Sequence, residues 1–263
     1  MRETIREFRD LHREPCFVMP NPFDIGSARI LSDFGFHALA TTSGGLAASL
    51  GRRDMTVDRD TTIAHVRALV DATHLPVNVD AERCFGDSPE AVAETVAMLA
   101  EAGAAGCSIE DWDPDNQRID DLDVSVERVR AAVNAASESG LVLTARCESV
   151  LRGVGDLDTV IFRLLAYRDA GAEVLYAPGL IDPSQIERLV REVTVPVNVL
   201  LMPQGPRVSE LAELGVRRVS TGNRLASVAY GALRAASSAL YEEGHIPSEL
   251  PVLDRDFAQR VFA

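Results

Sequence analysis

Short apolar runs rich in β-branched residues alternate along the chain with longer stretches whose apolar positions recur at helical spacing. The short runs read as buried strands and the long stretches as amphipathic helices, so the pattern is one of repeated βα units around a parallel sheet. Strands are predicted at 16–20 (CFVMP), 38–43 (ALATTS), 76–82 (PVNVDAE), 106–111 (GCSIED), 141–147 (LVLTARC), 173–178 (EVLYAP), 196–202 (PVNVLLM) and 217–222 (RRVSTG). Eight such strands close a barrel. The helices carry their own boundaries: in SPEAVAETVAMLAEAG, Ser88 can cap and Gly103 can terminate, and DPSQIERLVREV puts Pro183 in a first turn. No Pro/Gly/Ser tract interrupts the series. The expectation is a single (β/α)8 TIM-type barrel domain over 1–263, with an N-terminal helix before it and residues 236–263 as a C-terminal helical extension.

Functional groups of such barrels stand at the C-terminal ends of the strands, so candidates follow from position alone. Here those ends are rich in acids. Asp54 follows the second strand, Asp80 and Glu82 end the third, Glu110 and Asp111 the fourth, and Arg146 and Glu148 the fifth. Carboxylates crowded on one rim raise each other's pKa unless a counter-charge is present. Hard oxygen donors without histidine or cysteine point to Mg²⁺ or Mn²⁺ as that counter-charge. The five histidines fall on helices, on the opposite rim or in the tail, where solvated or capping roles are expected.

Composition narrows the chemistry. The 263-residue chain contains no lysine, so all 26 basic residues are arginine. This excludes Schiff-base chemistry, pyridoxal phosphate attachment and a Walker A lysine. A formal charge of -14 argues against a nucleic acid partner. No run of about 18 apolar residues suggests a membrane span, and the N-terminus has no signal-peptide core, so the chain reads as cytoplasmic. Cys16, Cys84, Cys107 and Cys147 lack metal-ligand spacing and read as free thiols.

The string NPFDIGSARILSDFGFHALATTSGGLAASLGRRD, followed in order by PVNVDAE, SIED, TARCE and PVNVL, resembles the isocitrate lyase and phosphoenolpyruvate mutase superfamily over about residues 16–235. The resemblance implies a Mg²⁺-dependent barrel acting on small 2-oxo or 2-hydroxy carboxylates through an enolate-like pyruvyl intermediate. By matching motifs, Asp80 would bind the metal directly, with Asp54, Glu82 and Glu110 holding its waters. Ser43, Gly44 and Gly45 would cradle the substrate carboxylate, Arg146 would clamp it, and Asn198 would join the substrate site. Arg146, Glu110, Asp54 and Asn116 are the candidate catalytic groups. Relatives commonly exchange a C-terminal helix between subunits, so a homo-oligomer, dimer or tetramer, is implied.

Departures from the family pattern are equally specific. The K-K-C-G-H lyase loop is missing, and residues 111–123 read DWDPDNQRIDDLD, with Trp112 at the root of what reads as a lid. Asn116 and Arg118 are left to clamp a second anionic group, and Cys84 or Cys147 could face the mouth in place of the missing cysteine. Three readings stay open: a Mg²⁺-dependent lyase or hydrolase cleaving a carbon-carbon or carbon-phosphorus bond, a phosphoenolpyruvate mutase-type phosphonate enzyme, and a non-catalytic oxo-acid-binding barrel.

Overall fold

The strands form where β-branched runs were expected, each shorter at its ends than the run that encodes it: Phe17–Met19 (β1), Leu39–Ala40 (β2), Val77–Asp80 (β3), Gly106–Glu110 (β4), Val142–Arg146 (β7), Val174–Tyr176 (β8), Val197–Leu200 (β9) and Arg218–Ser220 (β10). A computed structural model describes residues 2–13 and 15–263. The eight strands pair in parallel in the order β1-β10-β9-β8-β7-β4-β3-β2. The gap between β1 and β2 is crossed where Ala40 N–H donates to the Pro20 carbonyl (3.0 Å), which nearly closes the sheet as a (β/α)8 barrel. Two short strands outside it, Trp112–Asp113 (β5) and Arg118–Ile119 (β6), form an antiparallel hairpin.

Helices follow in register: Glu3–Leu11 (α1), Ile25–Asp33 (α2), Ser43–Ser49 (α3), Arg59–Ala72 (α4), Pro89–Glu101 (α5), Leu122–Ser139 (α6), Leu157–Asp169 (α7), Pro183–Val193 (α8), Val208–Glu213 (α9), Arg224–Glu243 (α10) and Arg255–Val261 (α11). Ser88 caps α5 by accepting from Ala91 N–H, Gly103 leaves it at φ +100°, and Pro183 opens α8 behind the Asp182 cap. The helix α10 runs through residue 236 without a break, and the chain leaves it at Gly244.

The lower end of the barrel is plugged by α1. Ile5 and Phe8 are buried there against Phe17, Met19, Ala105, Val142 and Val174. A Cβ at Gly106 would stand 2.6 Å from the Phe8 ring, so glycine is what admits the plug. Above Phe8 lies Arg218, wholly buried, with no carboxylate partner among the described residues. It donates to Asn198 Oδ1 (2.9 Å) and Thr144 Oγ1 (2.9 Å) and meets His12 Nε2 (3.2 Å). Burial lowers the Arg218 guanidinium to about 9.

His12, expected to be solvated or capping, is therefore a buried partner in this network. Its Nδ1 faces the Phe8 carbonyl at 2.8 Å, which assigns the proton to Nδ1 and leaves Nε2 to accept from Arg218. Burial, then the Arg218 charge, lower the imidazole from 6.5 to about 3. The native state thus binds fewer protons than the unfolded chain. The stabilising contribution is intact above pH 6.5 and is lost as pH falls from 6.5 towards 3. Between pH 6.5 and 5 the loss is about 2 kcal/mol. Urea unfolding at both pH values should show that loss as the change in the stability difference between wild type and His12→Gln; an unchanged difference would remove His12 from acid sensitivity.

Candidate active site

The strand register assembles the centre of the site. Glu110 at the end of β4 lies opposite Arg146 at the end of β7, and Arg146 lies opposite Tyr176 at the end of β8. Arg146 is the hub. Its Nε donates to Glu148, and its Nη1 lies 3.3 Å from Glu110 Oε2 and 3.5 Å from Asp80 Oδ1. Its guanidinium stands 5.3 Å from the centre of the Tyr176 ring. Although burial opposes the charge, Glu110, Glu148 and Asp80 together hold Arg146 well above its ordinary value. Among the described residues Nη2 makes no hydrogen bond, and Arg146 lines the cavity at the barrel mouth.

The acids divide into two groups. Asp80 and Asp54 line this cavity of about 290 Å³, whereas Glu82 and Glu110 stand behind it, both less than one-tenth exposed. Burial, with Asp80 and Asp54 adding to it, pushes the Glu82 carboxyl up to about 8. Burial pushes Glu110 well above its ordinary value, and its Oε1 has no hydrogen-bond partner among the described residues.

Glu82 owes its position to a strained turn. Glu82, Cys84 and Phe85 have φ of +49°, +60° and +54°, a left-handed conformation that costs side-chain-bearing residues about 1–3 kcal/mol each. Opposing contacts hold it. Glu110 N–H donates to the Glu82 carbonyl (2.9 Å), Thr95 Oγ1 to the Cys84 carbonyl (2.9 Å), and buried Arg128 to the carbonyls of Arg83 and Gly86. Arg128 and Arg83 also share Asp120 Oδ2, at 2.8 and 2.9 Å.

The Ser43-Gly44-Gly45 cradle is only partly available. Ser43 N–H already donates to Asp80 Oδ2 (3.2 Å), and Gly45 N–H to Thr42 Oγ1 (3.3 Å) as part of the α3 cap. Gly45 is buried against Thr42 and Phe23 and does not line the cavity, which corrects its expected role. Gly44 and Ser43 do line it. A Cβ at Gly44 would lie 3.2 Å from Asp54 Oδ2 and 3.4 Å from Asn223 Nδ2, so this glycine lets Asp54 fold over the mouth.

Three further expectations change. Asn116, expected to reach the substrate, stands on the β5–β6 turn with its amide 2.7 Å from Asp113 Oδ2, and no residue from 111 to 123 lines the cavity. The Asp113 carboxylate also caps the N–H groups of Asp115 (3.0 Å) and Asn116 (3.1 Å), so the segment turns back as a hairpin. Asn198 lies below the site inside the barrel, where its oxygen accepts from Arg218 and its amide donates to Ser220 (3.0 Å). It borders a smaller interior cavity of about 50 Å³ shared with Asp80, Arg146 and Tyr176. Cys84 and Cys147 are fully buried and their thiols are pushed to about 12 by burial, so neither serves as a reactive group at the mouth.

The remaining lining is Thr42, Leu151, Tyr176, Leu200, Leu201, Met202, Thr221, Gly222, Asn223 and Arg224. Sequence reasoning left these without roles. Tyr176, Leu200, Leu201, Met202, Thr221 and Asn223 were signalled by their places at strand ends. Leu151 gave no signal, since apolar loop residues look alike until loops meet in space.

The donor set fits a hard divalent cation. Two carboxylates face the cavity, two more stand behind them with an orphaned oxygen and a raised pKa, and one guanidinium lies among them, a shortage of positive charge that Mg²⁺ would relieve. Among the described residues no three side chains close into a ready cage, so such an ion would rest on Asp80, with Asp54, Glu82 and Glu110 acting through water.

Comparison with known proteins agrees with this geometry. The family described as Phosphoenolpyruvate phosphomutase matches residues 8–241. A solved structure from Burkholderia cenocepacia, assigned by inference as a lyase/mutase, superposes with a TM-score of 0.94 at 47% identity, covering 99% of this chain and 96% of that one. An uncharacterised Mycobacterium tuberculosis protein is 34% identical over 93% of this chain and 92% of its own length. An oxaloacetate decarboxylase of a Bradyrhizobium strain is 32% identical over 92% and 83% respectively. The chain belongs to the phosphoenolpyruvate mutase and isocitrate lyase superfamily, whose members cleave carbon-carbon or carbon-phosphorus bonds of small oxo acids.

Proposed function

We propose that this chain is a Mg²⁺-dependent lyase that breaks the C3–C4 bond of a small 2-oxo acid and leaves the electron pair on a pyruvate-type enolate. The observation that carries this reading is that Asp80, Asp54 and Arg146 line one cavity, with Arg146 Nη1 3.5 Å from Asp80 Oδ1. The unpaired Nη2 of Arg146, with Ser43 and Gly44, would receive the substrate carboxylate. Asp80, with Asp54, Glu82 and Glu110 through water, would hold Mg²⁺, which when bound supplies positive charge to the enolate oxygen. Tyr176, kept protonated because burial lifts its phenol to about 12, would deliver the proton that converts the enolate carbon to the oxo-acid product. For a substrate of the oxaloacetate type, the C3–C4 bond breaks, CO₂ leaves, and C3 takes that proton.

We further assign the chain to the cytoplasm, as one barrel domain with its C-terminal extension, in a homo-oligomer. Among the described residues no helix is long and apolar enough to cross a membrane. The oligomer is supported by α10, in which Val228, Leu233, Leu240 and Tyr241 are exposed and only Ala226 is buried. The test is incubation with Mg²⁺ and oxaloacetate, methylisocitrate or phosphonopyruvate, following pyruvate release. Pyruvate from a carbon-carbon substrate, abolished by EDTA, is expected. Phosphoenolpyruvate from phosphonopyruvate without pyruvate would support the mutase reading, and Mg²⁺-dependent binding without any turnover the sensor reading.

A further inference from the structure

Part of the cavity lining is apolar. Leu151 from the loop after β7, Leu200 at the end of β9, and Leu201 and Met202 just beyond it line the same space as Asp80 and Arg146. Leu151 is 43% exposed, and no core position requires it there. Leu201, Met202 and Arg224 also border an adjoining open groove of about 430 Å³, otherwise lined by Pro203, Gly205, Pro206, Arg207 and Val208. Two cations, Arg207 and Arg224, stand at this end, and both are exposed to solvent. Four apolar side chains beside two screened guanidinium groups are poorly suited to a phosphonate dianion, which needs several converging donors. They suit hydrocarbon, because contact with such a wall removes apolar surface from water.

Resting on the lyase reading above, we infer that the substrate is a 2-oxo acid whose C3 carries an uncharged alkyl arm, with the arm lying on Leu151, Leu200, Leu201 and Met202. The acid end is fixed at Arg146, and the adjoining groove gives the arm room beyond a single methyl group. When the C3–C4 bond of such a substrate breaks and CO₂ leaves, the electron pair stays on C3, which keeps its own hydrogen and takes one proton from Tyr176, giving an unbranched 2-oxo acid one arm longer than pyruvate. Products therefore report the preference without requiring turnover.

The experiment measures dissociation constants, in excess Mg²⁺, of pyruvate, 2-oxobutanoate, 2-oxopentanoate and phosphonopyruvate by ligand-observed NMR. Affinity should rise up to about fourfold with each added methylene, the equivalent of ~0.8 kcal/mol per buried CH₂ group. Phosphonopyruvate should bind no better than pyruvate. In Leu151→Ser the increment should fall to about twofold. A chain-length series that is flat or reversed, or phosphonopyruvate as the tightest ligand, would overturn the alkyl-arm inference while leaving the lyase reading in place. Failure of every oxo acid to bind, pyruvate included, would overturn both.

Discussion

Asp80→Ala is expected to lower kcat/KM by roughly 10³-fold, the equivalent of about 4 kcal/mol of transition-state stabilisation. Asp80 lines the cavity, and it also ties the site together by accepting from Ser43 N–H and pairing with Arg146. The fold should survive, because the strand position is kept by backbone pairing and by Thr41 Oγ1, which accepts from Asp80 N–H (2.9 Å). Mg²⁺ affinity, read by calorimetry, should collapse with activity, and unchanged affinity would refute the metal assignment. The neighbouring Glu82 adds a pH signature. Its folded-state value of about 8 lies above the ordinary 4.5, so in metal-free protein its protonation favours folding at low pH, and that contribution is lost as pH rises from 4.5 through 8. A cation competes with the same proton. Mg²⁺ affinity of wild type should therefore climb with pH up to about 8, with release of a proton at neutral pH.

Much of the frame was legible because each βα unit repeats its signals locally. Strands of two to five residues form inside the β-branched runs, and caps such as Ser88 and Asp182 act on N–H groups two or three residues away. The acidic rim was legible for the same reason, since a strand's last residues face the mouth whatever surrounds them. What escaped depended on partners distant in sequence. Asn198 points to Arg218 inside the barrel, and His12 is buried only because α1 plugs the lower end. Glu82 and Glu110 are rim residues by position, yet a left-handed turn and a buried guanidinium set them behind Arg146. The segment 111–123 looks like an open lid in sequence and folds as a hairpin because one carboxylate, Asp113, satisfies its turn, an interaction that also keeps the Asp113 pKa low. Trp112, read as the root of a lid, is buried beneath the Arg152 guanidinium, 4.2 Å from its ring, and Arg152 in turn pairs with Glu148.

Arg146→Lys is expected to lose roughly 2–5 kcal/mol of substrate binding or transition-state stabilisation, about 30- to 5,000-fold in kcat/KM, because an ammonium cannot meet Glu148, Glu110, Asp80 and a substrate carboxylate together. Stability depends on this residue too, since Glu110 and Glu148 are buried and rely on its guanidinium. Arg146→Met, which removes the charge altogether, should cost about 3–5 kcal/mol of folding stability in metal-free protein. Part of that loss should return on adding Mg²⁺, because a cation held by Asp80 would replace some of the missing positive charge. Chemical denaturation with Mg²⁺ and with EDTA separates the two contributions. If Arg146→Lys folded with wild-type turnover, the carboxylate clamp would be refuted. If Arg146→Met lost stability that Mg²⁺ did not restore at all, the cation would not share the same acids, and the coupling of metal and arginine in one charge-balanced centre would fail.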